Sequence, residues 1–242
     1  MANSGLCFGG SDRGIRRTTN QDCFQIETRG NTTLGVVCDG IGGNKAGDIA
    51  AQMSCHLLGS CFKKDYRKAY DKKEWLTEAV CMVNREVFQR SMDDDACAGM
   101  GTTLVAFIAD ETETVVVNVG DSRCYILADN QLEQITEDHT LLNEMVKYRG
   151  YDYKVAVSLV GRNVISRAIG VSEYVEPDVF QLPNYQYLLI CTDGLHGYVE
   201  DEAIETVLKN KKTAIDQKPQ KLINLANKAG GYDNVTVVCY QR

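Results

Sequence analysis

Aspartate recurs in this sequence at the ends of apolar runs. Asp39 follows Leu34-Gly35-Val36-Val37-Cys38 and precedes Gly40-Ile41-Gly42-Gly43. Asp121 follows Val117-Asn118-Val119-Gly120, and Asp193 follows Leu188-Leu189-Ile190-Cys191-Thr192. Asp233 stands just before Val235-Thr236-Val237-Val238. Apolar runs of this length read as buried strands, so each carboxylate is expected at a strand terminus. The glycines after Asp39 allow backbone to approach closely. One such motif alone is more simply a glycine turn whose Asp caps the next helix. Several of them gathered by one fold make an oxygen-rich site for hard divalent cations. Two ions roughly 3.5–4 Å apart and sharing a carboxylate lower the pKa of a water between them and clamp an in-line displacement at phosphorus. A phosphate held there needs a cation from the protein, and Arg13, Arg16 and Arg17 are the candidates, because guanidinium matches phosphate geometry better than ammonium. Covalent routes lack their parts: no Cys sits in a glycine-rich phosphate loop followed by Arg, and no Gly-x-Ser-x-Gly elbow occurs.

The elements that must position these groups follow from periodicity. Cys23-Phe24-Gln25-Ile26-Glu27-Thr28 alternates and reads as a strand, pairing through a turn at 31–33 with the central strand from Leu34. A helix is predicted over 47–62, with Ile49, Ala50, Met53, Leu57, Leu58 and Cys61 on its apolar face. A second, over 74–91, carries the stripe Leu76, Ala79, Val80, Val83 and Val87. His56 reads as an ordinary helix residue, and Asp93-Asp94-Asp95 as a solvated acidic loop. Residues 104–109 form a strand buried on both faces, and 114–119 return antiparallel to it. Asp129-Asn130 is a primed hairpin turn between strands 123–128 and 131–135. The stretch from Asp138 to Arg162 reads as a helix plus a mobile loop near the site. Further on come a strand over 187–192, a helix capped by Asp201, a helix over 219–228 stopped at Gly230-Gly231, and a last strand over 235–240. Strands follow strands and helices come in two blocks, which is not βαβ alternation. The expected class is α+β: a four-layer α-β-β-α sandwich of two largely antiparallel sheets flanked by helices.

The chain of 242 residues is 44% hydrophobic, has only 3 prolines and shows no linker, so one domain over 1–242 is expected. A net charge of −7 argues against nucleic-acid or anionic-membrane partners. The 10 cysteines form no C-x-x-C pair, so zinc is not indicated. With no apolar leader and no long apolar run, a reducing cytoplasm is the simplest location.

Eight short motifs occur in order: Arg17-Thr18-Thr19-Asn20-Gln21-Asp22, Asp39-Gly40-Ile41-Gly42-Gly43, Gly101-Thr102-Thr103, Gly120-Asp121-Ser122-Arg123, Asp138-His139-Thr140, Ser166-Arg167-Ala168, Thr192-Asp193-Gly194 and Asp233-Asn234-Val235-Thr236. This order closely resembles the metal-dependent serine/threonine protein phosphatases of type 2C, in particular their short bacterial members, from about Ser11 to Tyr240. The resemblance implies hydrolysis of phosphoserine and phosphothreonine in proteins by a hydroxide between two Mn²⁺ or Mg²⁺ ions, with a third, weaker ion in many bacterial members. It implies that Asp39 bridges the pair, that the Gly40 carbonyl binds one ion, and that Asp193 and Asp233 bind the other. Asp121 would serve the third ion, Arg17 the substrate phosphate, and Asp22 the ordering of water at the metals. Asn234 would orient its neighbour Asp233 from outside the metals' own shell. Asp138 and His139 would be structural, and residues of about 141–163, Gly150 among them, would form the family's variable flap. The partners implied are phosphoproteins made by a serine/threonine kinase, with the phosphatase itself a monomer.

Three positions depart from the pattern. Gln21 stands where many members have an acid, and Ile41 where animal members often have a histidine. Gly197 stands where many have an aspartate that helps the third ion; the adjacent His196 reads as an exposed loop histidine, with a side chain reaching the site as the alternative. Two other readings stay open on sequence: a catalytically weak regulator of the same fold that binds phosphoproteins, and a phosphatase of small phosphorylated metabolites. The presence of Asp39, Asp193, Asp233 and Arg17 together favours the enzyme over the regulator.

Overall fold

The computed structural model describes residues 5–41, 46–67, 71–161 and 163–242. Gly42 and Gly43 of the glycine motif, and Arg162 at the end of the flap stretch, lie outside them. The elements run β1 (Leu6–Asp12), β2 (Asp22–Arg29), β3 (Thr32–Ile41), α1 (Gly47–Lys64), α2 (Lys72–Asp93), β4 (Gly101–Thr102), β5 (Leu104–Ala109), β6 (Thr114–Val119), β7 (Arg123–Ala128) and β8 (Gln131–Gln134). Then follow α3 (Leu141–Asn143), α4 (Tyr153–Val160), β9 (Asp178–Gln181), β10 (Tyr187–Cys191), α5 (Asp193–His196), α6 (Asp201–Lys209), α7 (Lys218–Lys228) and β11 (Val235–Gln241).

Two antiparallel sheets result. One has the order β1-β11-β10-β7-β8; the other has the order β2-β3-β5-β6-β9, with β4 extending the pairing of β3. Their facing sides share a core that includes Val37, Val105, Phe107, Ile126, Ile190 and Val238. Helices α1 and α2 cover the outer face of the β3–β5 sheet through Leu58, Phe62, Leu76, Val80 and Val83. Helices α6 and α7 cover the other sheet through Ile204, Leu208, Leu222 and Ile223. Strand β5 must therefore be apolar throughout, and all its residues are buried. This is the four-layer α-β-β-α sandwich expected from the pattern.

The local readings hold in part. Asp129 and Asn130 have φ of 50° and 60°, the left-handed pair a type I′ hairpin requires. The α2 stripe is buried as read. The α1 face is shifted: Ile49 is 42% exposed, whereas Ala50, Ala51, Ser54, Cys55, Leu58 and Gly59 are buried. Small residues win that face because the helix lies close on the sheet; a Cβ on Gly59 would meet Gln25 Nε2 at about 2.2 Å. The α6 helix begins with Asp201 in its first turn, after Glu200 at the N-cap, so Asp201 is not the cap. Strands β1 and β9 were not legible: Gly9-Gly10-Ser11 has no alternation, and β9 is only four residues long. The acidic triplet is more ordered than a plain solvated loop, since Asp94 accepts from Ala96 N and pairs with Arg90.

Candidate metal and phosphate site

The aspartates of the four motifs come together at one end of the sandwich. A cavity of about 480 Å³ is lined by Arg17, Gln21, Asp39, Gly40, Asp121, Asp193, Asp233 and Asn234, with Ile41 and residues 163–165 completing its wall. The two sheets meet here. Asp39 comes from β3, which runs on two residues beyond it to pair with β4, so Asp39 is near the strand's end rather than at it. Asp121 follows β6, Asp193 opens the short α5 after β10, and Asp233 precedes β11.

The Gly-Thr-Thr motif holds Asp39 by its backbone. Thr103 N donates to Asp39 O at 2.9 Å, Thr102 Oγ1 donates to the same oxygen at 2.8 Å, and Asp39 N donates to Thr103 Oγ1 at 3.0 Å. The Thr103 hydroxyl also bonds the Ser122 hydroxyl at 2.7 Å, which ties Asp39 to the Asp121 turn. That turn is fixed from its other side by His139. Gly120 N donates to His139 Nδ1 at 3.0 Å, so the ring proton lies on Nε2 and faces Asp178 Oδ2 at 3.1 Å. Burial lowers the His139 pKa and keeps the ring neutral. Asp138 takes Arg123 in a fork, with contacts of 2.8 and 2.7 Å. The Asp-His motif is therefore scaffolding for Asp121.

Asn234 serves the arginine loop in the same way. Its Oδ1 accepts from Gln21 N at 2.8 Å, and its Nδ2 donates to Arg13 O and Thr19 O, each at 2.8 Å. Asn234 N donates to Asp233 Oδ1 at 2.8 Å. Arg17 Nη2 donates to Asp233 Oδ2 at 2.7 Å, so the arginine and the acid assigned by resemblance to phosphate and metal are here paired with each other. Asp22 sits across the β2–β3 ladder from Asp39 and accepts from Thr192 Oγ1 at 2.8 Å.

Burial dominates the electrostatics of these acids. Burial pushes Asp22 and Asp121 each up to about 7, and Asp193 up to about 6; neighbouring carboxylates add to each. Burial, then Asp22 and Asp193, raise Asp39 well above the usual range. The Asp193 charge is among the causes that raise Asp39, as like charges brought together must. Asp22 Oδ1 and Asp193 Oδ1 are buried without a partner. Buried acids with orphaned oxygens are suited to divalent cations, and the donor set is all oxygen, as Mn²⁺ and Mg²⁺ prefer. Among the described residues no group of three or more His, Cys, Asp or Glu side chains is gathered closely enough to hold a metal ion as the side chains stand.

His196 departs from the expectation of an exposed loop histidine. It closes α5, is half-buried, and its Nε2 donates to Asp121 O at 3.1 Å; burial lowers its pKa to about 4, so it is neutral. It lines a second cavity of about 430 Å³ that shares Asp121, Asn163 and Asp193 with the first. Asn163 and Tyr198 border these cavities without any signal in their own sequence neighbourhoods; only the nearness of 138–162 to the site was readable.

Residues 10–230 match the family model described as protein phosphatase 2C. The chain is 37% identical over 237 residues to the serine/threonine phosphatase stp of Listeria monocytogenes serotype 4b (strain F2365), covering 96% of this chain and 94% of that protein. It is 31% identical over 231 residues to the protein phosphatase PhpP of Streptococcus pneumoniae serotype 2 (strain D39 / NCTC 7466), covering 94% and 93%. Among solved structures, the serine/threonine phosphatase Stp1 from Staphylococcus aureus superposes with a TM-score of 0.90 at 31% identity, over 100% of this chain and 96% of that one. The serine/threonine phosphatase PstP/Ppp of Mycobacterium tuberculosis gives 0.86 at 33% identity, over 98% of each chain. With the same fold, and sequence identity sustained across nearly its whole length, the chain belongs to the protein phosphatase 2C family and is a serine/threonine protein phosphatase.

Proposed function

We propose that this phosphatase hydrolyses phosphoserine and phosphothreonine in proteins at the aspartate cavity, with two Mn²⁺ or Mg²⁺ ions and a third, weaker one as cofactors. The observation that carries this reading is a single cavity lined by Arg17, Asp39, Asp121, Asp193 and Asp233, in which a buried Asp193 oxygen has no protein partner. When bound, the ions would lower the pKa of a water and offset charge on the phosphoryl oxygens. Asp39, with the Gly40 carbonyl, Asp193 and Asp233, would hold the pair. Asp121, braced by Ser122 and His196, would hold the weaker ion. Asp22, anchored by Thr192 and opposite Asp39 on the β2–β3 ladder, would order water at the metals.

Arg17 lies at the cavity mouth, half-exposed, and its guanidinium would turn from Asp233 to clamp the phosphate oxygens. Asn234 keeps the Arg13–Gln21 loop in place while it does so. Ile41 offers no proton to the departing seryl or threonyl oxygen, and the neutral His196 donates its Nε2 proton to the Asp121 carbonyl, so a water molecule would supply it. Phosphoproteins made by a serine/threonine kinase are the proposed substrates, and the enzyme acts as a monomer over a single domain, 1–242, with 141–163 as its flap. All ten cysteines are free, which fits the reducing cytoplasm. Among the described residues no helix is long and apolar enough to cross a membrane.

The test is phosphate release from a phosphothreonine peptide by EDTA-stripped protein, with and without added Mn²⁺, beside the Asp39→Asn variant. Activity should appear only with metal and be abolished in the variant. Full turnover by protein shown metal-free by elemental analysis would overturn the mechanism.

A further inference from the structure

A basic and aromatic shelf adjoins the cavity mouth on the side of the arginine loop. Arg16 lies with its guanidinium carbon 5.8 Å from the centre of the Tyr232 ring, and Tyr232 packs against Tyr198 at 5.4 Å between ring centres. The shelf is next to the chemistry. Arg16 is followed by Arg17 and Tyr232 by Asp233, and those two neighbours are bonded to each other. Tyr198 borders the cavity that shares Asp193 and Asp121 with the main one.

The shelf is built rather than incidental. Ile15 N and Arg16 N both donate to Gly231 O, at 2.8 and 2.9 Å. Gly14 and Gly231 both have left-handed φ, +76° and +55°. A Cβ on Gly14 would strike Asp233 O at about 2.1 Å, and one on Gly231 would meet Ile15 N at about 2.7 Å. Only glycine lets the two segments lie this close. The backbone under Arg16 is thus locked, while its side chain, with those of Tyr198 and Tyr232, stays exposed.

No carboxylate pairs with Arg16 among the described residues, although the chain as a whole is acidic, at −7. An arginine resting on an aromatic face keeps its in-plane N–H donors free for an incoming anion. From this geometry we infer that Arg16, seated on Tyr232 and Tyr198, is a specificity-determining residue that receives a carboxylate side chain close in sequence to the phosphorylated residue of the substrate. The inference rests on the cavity being the phosphate site, and it names the substrate class: phosphoserine or phosphothreonine in an acidic context. On a chain of net charge −7, an exposed cation at the rim is what makes acidic flanks acceptable.

The experiment compares kcat/KM of the Mn²⁺-loaded enzyme on phosphothreonine peptides that carry Glu or Lys at each position within three residues of the phosphate. The wild-type enzyme should prefer Glu at one or more of these positions by on the order of 3- to 10-fold, mostly through KM. Arg16→Ala should erase the preference and Arg16→Glu should invert it, while Arg16→Lys should keep most of it. Because only the exposed side chain changes, the thermal midpoint and bound-metal content of each variant should match wild type. A wild-type enzyme indifferent to Glu and Lys, or an Arg16→Ala variant that keeps the preference, would overturn the assignment. Failure of the phosphatase mechanism looks different, as no phosphate released from any peptide.

Discussion

Stripping divalent ions from this protein should make its stability fall as pH rises through neutrality. The carboxyls of Asp22 and Asp121 sit at about 7 in the folded chain, against an ordinary value of 3.8. A carboxyl raised on folding keeps a proton that the unfolded chain has already released. Its favourable contribution is present at low pH and is lost as pH climbs from about 4 through about 7. For one such group, linkage gives a loss of about 3 kcal/mol between pH 5 and pH 8. In a chain of this length that corresponds to a drop of roughly 6–12 °C in the melting temperature. Asp39 and Asp193 add in the same direction, though not additively, because the groups repel one another. The assay is thermal or urea unfolding of EDTA-treated protein at half-unit steps over this range, repeated with Mn²⁺. The metal should remove most of the decline, since cations stabilise the ionised acids. Asp22→Asn should flatten the metal-free decline by one group's share. A metal-free stability that is flat or rises between pH 5 and 8 would refute the view that burial holds these acids protonated.

Other perturbations separate the roles within the cavity. Arg17→Ala removes a half-exposed ion pair, so stability should change by no more than about 1 kcal/mol. Turnover should fall by roughly 10- to 100-fold for the lost phosphate contact; if calorimetry showed tight metal binding gone as well, Arg17 would be structural. Asp121→Ala should leave the bridged metal pair, counted by elemental analysis, but slow turnover, whereas Asp39→Asn should lose both; matching metal losses would make Asp121 a ligand of the pair. Away from the site, Lys218 is fully buried and donates to Val207 O, Leu208 O and Asn210 O at the end of α6. Lys218→Met should cost about 3 kcal/mol in urea unfolding with kcat unchanged, and a neutral result would mean those carbonyls find other donors.

The architecture was legible because each layer writes its own period. The buried runs at 104–109 and 188–191 read as interior strands, the α2 stripe falls at helical spacing, and Asp129-Asn130 announces its turn. What failed was decided by neighbours. The face of α1 is chosen by how near the sheet lies, and small residues take it over Ile49, which a hydrophobicity pattern ranks higher. Strand β1 contains Gly9 and Gly10 where Phe24 and Ile223 fill the space from other elements. No local pattern encodes that filling.

The site was legible for a different reason. Its acids are aspartates that burial penalises, and each is retained next to a strand end that the pattern does reveal. Its supports are less visible, because they act through backbone atoms. Thr102 and Thr103 hold Asp39 by its peptide groups, and Asn234 reaches three main-chain groups of the arginine loop. His196 is the instructive case. A histidine three residues after a proposed ligand suggests coordination or exposure, yet it is half-buried, neutral and bonded to the carbonyl of Asp121. With Gly197 beside it offering no carboxylate, the weaker ion would rely on Asp121 and Asp193, and the position of Asp121 would rest on His139 from one side and His196 from the other. Two neutral imidazoles, each bonded to the backbone of one turn, fix the Asp121 carboxylate through main-chain atoms alone.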